Sequence, residues 1–195
     1  ERYEIFFNEV SISYEIKVRG AESSLEELNE NSLLILLDQA NIKANRDRVI
    51  TYLKSDMIKR YNPIRRYFDS LPVWNGFDYI KQYCSYAKTD DDDLFYYHLK
   101  KWAVRAIKAA LLENEINKHA IILANGVQNA GKSTFLKRLC PDSLERYYGE
   151  NLTLDKDGRI KLCKSFIINL EELQGLNRQD TDKVKAHISL QTVND

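Results

Sequence analysis

Hydrophobic and polar positions change period several times along this chain, and each change marks an element. Residues 3–18 alternate loosely and are rich in Tyr, Ile, Phe and Val, with Asn8-Glu9 near the middle, which is the pattern of a β-hairpin. Ser23-Ser24 and Glu26-Glu27 then open a helical stretch whose Leu33, Leu34 and Leu37 share one face. A second helix is expected at Arg46–Leu53, where Val49, Ile50 and Leu53 supply the apolar side. Together these form a small α+β unit over residues 1–60. It ends near Asn62-Pro63, because proline restricts the residue before it.

Residues 61–117 read as a helical region. Positions 64–86 are expected to be helical around a turn at 71–76 that carries Pro72 and Gly76. Asp90-Asp91-Asp92-Asp93 follows. Four carboxylates can gather a metal, but before a strong helix they serve better as cap and complement to its positive end. That helix spans about 94–114 and has two apolar stripes. Phe95, Leu99, Trp102 and Ala106 form one, and Val104, Ile107 and Leu111 the other, so the helix is expected to be sandwiched. Lys101, Arg105 and Lys108 lie on a strip between them, either simply solvated or in contact with a phosphate backbone.

Composition narrows the class. The 195 residues allow one large domain or two small ones. Lys+Arg and Asp+Glu number 29 each, a balance that does not suggest a histone-like basic protein or an acidic tail, and leaves nucleic-acid binding to a local patch. The longest apolar runs, residues 33–37 and 120–124, fall far below the ~18 needed to span a bilayer. No segment reads as a signal peptide. Cys84, Cys140 and Cys163 form no C-x-x-C pair, so neither a disulfide framework nor a zinc site is indicated, and the expected compartment is the reducing cytoplasm. His98, His119 and His187 stand isolated and receive no role, and Tyr147-Tyr148 reads as a short buried strand rather than a base-stacking pair.

The chemistry concentrates after residue 118. Residues 119–124 form a short continuous apolar run, expected to be a buried strand. Gly126-Val127-Gln128-Asn129-Ala130-Gly131-Lys132-Ser133-Thr134 follows, and then a helical pattern through Leu139. This is G-x-x-x-x-G-K-[ST] between strand and helix, the phosphate-binding loop. Gly126 and Gly131 allow backbone approaches that a Cβ would block, so loop amides can turn inward on an anion beside the following helix N-terminus. Lys132 brings a cation to the β and γ phosphates of ATP, the Ser133 hydroxyl is the expected Mg²⁺ ligand, and Thr134 supports the loop.

Such a protein also needs an acid for Mg²⁺ and one to orient the attacking water. Residues 165–170 read as a buried strand that delivers Glu171 and Glu172 at its C-terminal end, where α/β sheets bind ligands. The two are assigned jointly to metal contact, with Glu171 as a candidate Mg²⁺ ligand, and to water activation. Asn169 lies on the opposite face from Leu170. An N-K-x-D base-recognition motif after the loop is absent, as is an arginine-rich lid. Paired acids after a plain hydrophobic strand fit a motor-type or oligomeric ATPase.

Several segments between residues 60 and 195 resemble the virulence-associated protein E family, helicase-like ATPases of phages, plasmids and genomic islands. Asn62-Pro63-Ile64 with Tyr67, and then Leu71-Pro72-x-Trp74-Asn75-Gly76-x-Asp78-x-Ile80, are similar to the family's N-P and L-P-x-W-D-G segments, with Asn75 where the family has Asp. Lys101-Trp102 matches its K-W, Gly126-x-Gln128-x-x-Gly131-Lys132-Ser133-Thr134 its phosphate loop, and Asp155-Lys156-Asp157 a K-D pair before a short helix. Residues 166–173 resemble its strand ending in E-L-x-E-L. By that match Glu172 is the second family acid, and the first falls on Asn169.

The resemblance implies a ring-forming homo-oligomer acting on DNA in mobile-element replication, often beside a primase, with sensor and arginine-finger residues beyond the second acid. The chain opens on Glu1 rather than Met, and its motifs lie late, so a fragment is expected. The expected architecture is α/β: a partial P-loop NTPase core of the ASCE type at 118–195, after the helical region and the small α+β unit. The expected function is ATP binding within a DNA-dependent, helicase-like ATPase. The alternatives are a P-loop switch ATPase without DNA activity, or a primase-docking module.

Overall fold

The loose alternation of the first residues produces the expected hairpin. In a computed structural model that describes residues 3–20, 25–113, 115–151 and 156–170, β1 (Tyr3–Asn8) pairs antiparallel with β2 (Ser13–Val18), from Tyr3 opposite Val18 to Asn8 opposite Ser13. The Asn8 side chain holds the turn by accepting from the Val10 and Ser11 amides at 3.0 and 3.1 Å. The chain divides into two units, Glu1–Arg66 and Tyr67–Asp195.

In the first unit, Glu26-Glu27 do not open a helix. They form β3 (Glu26–Glu27), a short edge paired with β2. Helix α1 (Glu30–Gln39) starts later because the Asn29 side chain caps it, accepting from the Asn31 and Ser32 amides. Ser23 and Ser24 lie outside the described residues. Helix α2 (Arg46–Leu53) has the expected bounds, with Asn45 as its cap. A strand not visible in the pattern, β4 (Lys59–Tyr61), joins β1 in parallel and completes the sheet order β3-β2-β1-β4. A buried polar set helps place it: Asn8 Nδ2 donates to Glu15 Oε1 at 2.9 Å, and the Tyr61 hydroxyl donates to Glu15 Oε2. The apolar core lies between sheet and helices at Leu33, Val49 and Leu53, covered by Ile5, Tyr14, Leu28 and Leu37.

Helix α3 (Pro63–Asp69) carries the chain across the division after Arg66. The Asn62 side chain accepts from the Ile64 and Arg65 amides at 3.0 Å, and Pro63 occupies the first helical turn, where its missing N–H costs nothing. In the second unit, α4 (Tyr79–Cys84) packs on α5 (Asp92–Leu111). Asp91 caps α5 by accepting from the Leu94 amide at 2.9 Å, and Asp92 accepts from the Thr89 amide and hydroxyl. The acidic run is therefore a helix start. Among the described residues no cluster of His, Cys, Asp or Glu could hold a metal.

Two expectations about this unit are corrected. Helix α5 fully buries only Leu99 among the described residues; on the other stripe Ile107 and Leu111 are half-buried and Val104 is 59% exposed, so the second face is covered only in part. Residues 119–124 form neither strand nor helix, and Ile122 is 74% exposed. A strand needs a neighbouring strand for its amides and carbonyls, and among the described residues none pairs with this segment.

Beyond it lie α6 (Lys132–Lys137), a 3-10 helix (Asp142–Tyr147), β5 (Tyr148–Glu150), α7 (Lys156–Cys163) and β6 (Ile167–Asn169). Strands β5 and β6 pair in parallel, with Tyr148 opposite Ile167. Gly149 makes their covering possible: a Cβ there would meet Ser165 Oγ at 3.0 Å and Ile168 Cγ1 at 3.2 Å. The molecule is thus mixed α/β, built of small sheets and helices. Among the described residues no helix is long and apolar enough to cross a membrane.

Candidate functional site

The approach to the phosphate-loop motif is held from α5. The Trp102 indole donates to the His119 carbonyl at 3.1 Å, tying the segment before the loop to the helix. This gives the Lys101-Trp102 pair a structural role that the sequence pattern did not reveal. Asn125 opens the loop itself, its side chain accepting from the Val127 amide at 2.9 Å. The loop turns through two left-handed positions, Asn129 at φ 59° and Gly131 at φ 78°. The glycine requirement at 131 is conformational, because a Cβ there would touch nothing within 4 Å. Gly126 has no positive φ and also faces open space, so of the two motif glycines only Gly131 shows a backbone reason to be glycine.

Helix α6 begins directly after Gly131, which carries no side chain to cap it. Lys132 is half-buried and folds back over the loop, where its ammonium donates to the Val127 carbonyl at 3.2 Å and the Asn125 carbonyl at 3.4 Å. The result is a cation centred on a turn, with the Ser133 and Thr134 side chains exposed beside it. Val127, Gln128 and Ala130 form the exposed rim of the same turn. A cationic lysine with two adjacent hydroxyls suits a polyphosphate and its Mg²⁺.

The loop borders a broad cleft of about 1640 Å³ in the second unit, lined by α5, residues 119–125 and the start of α6. Its floor is aromatic: Tyr83 and Phe135 sit 4.6 Å apart, Phe95 and Phe135 6.1 Å apart, and the Tyr83 hydroxyl donates to the Phe135 carbonyl. Burial pushes the Tyr83 phenol up to about 12 against the opposing charge of Arg138. Burial also raises the Cys140 thiol to about 11 and lifts that of Cys84, so both remain protonated at neutral pH and offer no nucleophile.

The basic strip of α5 resolves into three different environments. Lys101 lies over the Tyr97 ring at 4.2 Å and donates to its hydroxyl, a bond that draws the phenol below its ordinary value. Lys108 pairs with Glu115 at 2.6 Å. Arg105 lines the cleft and makes no ion pair among the described residues.

The Leu71–Asp78 motif supports this arrangement from the other side of α5. Asn75 accepts from the Phe77 amide at 3.0 Å, Gly76 takes φ 86°, and the Trp74 indole donates to the Phe77 carbonyl. Asp78 caps α4 through the Lys81 amide, and also accepts from the Lys100 ammonium at 2.7 Å and from the Tyr96 hydroxyl. The Lys100 bond, the largest influence, holds the Asp78 carboxyl well below the usual carboxylate range. The motif's last acid therefore clamps α4 to α5.

Strand β6 packs against α6. Its Asn169 is buried, and the Asn169 carbonyl accepts from the Asn151 amide at 2.9 Å. Glu171 and Glu172 follow after Leu170 and lie outside the described residues. The structure thus brings the loop, Lys132 and the strand leading to the paired acids around one helix.

Residues 68–194 match the family model of the virulence-associated protein E-like domain. No curated protein matches the chain. The match spans the α4–α5 clamp, the loop over Lys132 and the strand leading to the paired acids, and the chain belongs to the virulence-associated protein E-like family.

Proposed function

We propose that this chain is the ATP- and Mg²⁺-binding part of a DNA-dependent, helicase-like ATPase of mobile-element replication, active in the cytoplasm as a homo-oligomer and able to work beside a primase. The observation that carries the reading is Lys132, whose ammonium sits on the carbonyls of a turn of sequence Gly126-x-x-x-x-Gly131-Lys132-Ser133-Thr134 at the edge of a cleft. In this reading residues 126–134 hold the phosphates, and Lys132 leaves its loop carbonyls for the β and γ phosphate oxygens. Bound Mg²⁺ would neutralise charge on those oxygens, with Ser133 and Glu171 as its protein ligands. Glu172, with Glu171, would orient the attacking water, and a neighbouring subunit would complete the charge stabilisation with an arginine finger worth ~10³–10⁵ in rate.

The family match and the β6–α6 packing support this assignment of the acids. DNA contact is assigned to the α5 surface at Lys101 and Arg105. The test is ATP affinity. Lys132→Ala removes a charge-assisted contact and is expected to weaken ATP·Mg²⁺ binding about 10- to 100-fold. Unchanged affinity in a folded variant overturns the reading.

A further inference from the structure

The cleft is larger than the phosphate loop needs. At about 1640 Å³ it exceeds the ~300–1,000 Å³ of ordinary small-ligand sites, and it continues from the loop along one side of α6. Thr134 and Arg138 stand four residues apart, so they lie on one face of that turn, and the Arg138 amide donates to the Thr134 carbonyl at 3.1 Å. Lys137 is turned elsewhere, onto Glu145 at 2.9 Å. Arg138 lines the cleft with Phe135, Pro141 and Tyr83, and makes no ion pair among the described residues. The charge of Arg138 is felt at Tyr83, whose ring is held against Phe135 by its hydroxyl bond. An exposed guanidinium that lines the same cleft as a proline, two fixed aromatic rings and Lys132 has the chemistry of a base-stacking surface.

We propose that the Arg138 end of this cleft takes the purine base of the nucleotide, stacked on the guanidinium plane, while the 126–134 loop takes its phosphates. The proposal rests on the phosphate-loop reading and adds the reason this site selects a nucleoside triphosphate over inorganic polyphosphate.

Two probes separate the two claims: ATP and inorganic tripolyphosphate, each with Mg²⁺, titrated by calorimetry into the chain and its variants. Arg138→Ala is expected to lower ATP affinity roughly five- to hundredfold and leave tripolyphosphate affinity unchanged, as loss of a stacking contact does. Arg138→Lys keeps the charge but loses the plane, and is expected to behave like Arg138→Ala. If Arg138→Ala weakens both probes equally and Arg138→Lys restores them, Arg138 is a phosphate cation and the base site is overturned while the loop reading stands. If Arg138→Ala changes neither probe, the base site is likewise overturned. If Lys132→Ala changes neither, the loop reading itself fails. Arg138 is exposed and makes no ion pair among the described residues, so its variants keep the fold, and unchanged circular dichroism confirms that in each arm.

Discussion

The two motif glycines look equivalent in sequence, and the structure separates them. Gly131 holds φ 78°, a region that costs a side-chain-bearing residue about 1–2 kcal/mol, while Gly126 has no such constraint. Neither would clash, since nothing lies within 4 Å of either ideal Cβ. Replacing each by Ala also removes the same backbone freedom from the unfolded chain, a stabilising contribution of about 0.4–1 kcal/mol. That contribution is shared, so the difference between Gly131→Ala and Gly126→Ala isolates the left-handed penalty at about 1–2 kcal/mol. Both tryptophans, Trp74 and Trp102, lie in Tyr67–Asp195, so urea unfolding followed by tryptophan fluorescence reports the unit that carries the loop. Gly131→Ala is expected to be the less stable variant by that difference, and Gly131→Asn to recover part of it, because asparagine tolerates this region. Equal stability of Gly131→Ala and Gly126→Ala refutes the conformational argument.

Asp78→Asn keeps an acceptor for the cap but loses the charge that Lys100 meets. It is expected to be less stable than the parent at pH 7. Because the folded carboxyl is depressed, the parent's advantage is present above the unfolded value near 4 and shrinks as pH falls from there. Urea midpoints at pH 7 and pH 3 measure this, and a gap that widens in acid contradicts it. For DNA, Arg105→Ala is expected to lower the slope of log affinity against log salt by about 1, whereas Lys108→Ala, already paired with Glu115, leaves it unchanged. A slope for Arg105→Ala equal to the parent's removes Arg105 from the proposed interface. Trp102→Phe deletes the donor to the His119 carbonyl, worth about 0.5–1.5 kcal/mol. Relative to the parent, exchange of amide hydrogens is expected to quicken across 119–125 more than in α5, and an unchanged rate across 119–125 counts against the tether.

What could be read from the chain alone was local chemistry. The hairpin at 3–18, the helix Arg46–Leu53 and the capping use of Asp91 and Asp92 depend on neighbours within a few residues, and their periods and cap residues announce them. The loop motif and the family resemblance are likewise matters of residue type at fixed spacing. Where local preference competed with a distant partner, the pattern misled. Glu26-Glu27 resemble a helix start but pair with β2, and Lys59–Tyr61 shows no strand pattern but gains one from β1 and from the Tyr61–Glu15 bond. Residues 119–124 have the composition of a buried strand, yet burial and ladder bonds come from other parts of the chain.

The site divides in the same way. Sequence by itself determined that residues 126–134 form a glycine-punctuated turn bearing Lys132, because those residue types at that spacing suit little else. Tertiary structure alone decided which surfaces surround it. The Trp102 tether spans 17 residues and the Tyr83–Phe135 contact spans 52. Asp78 clamps α4 to α5 across 22 residues, Gly149 admits Ser165, and Arg138 faces the cleft while Lys137 turns to Glu145. A turn closes on itself within a few residues, so its bonds are encoded where they form. A cleft is the space left between elements that pack from distant parts of the chain, and no local pattern contains it.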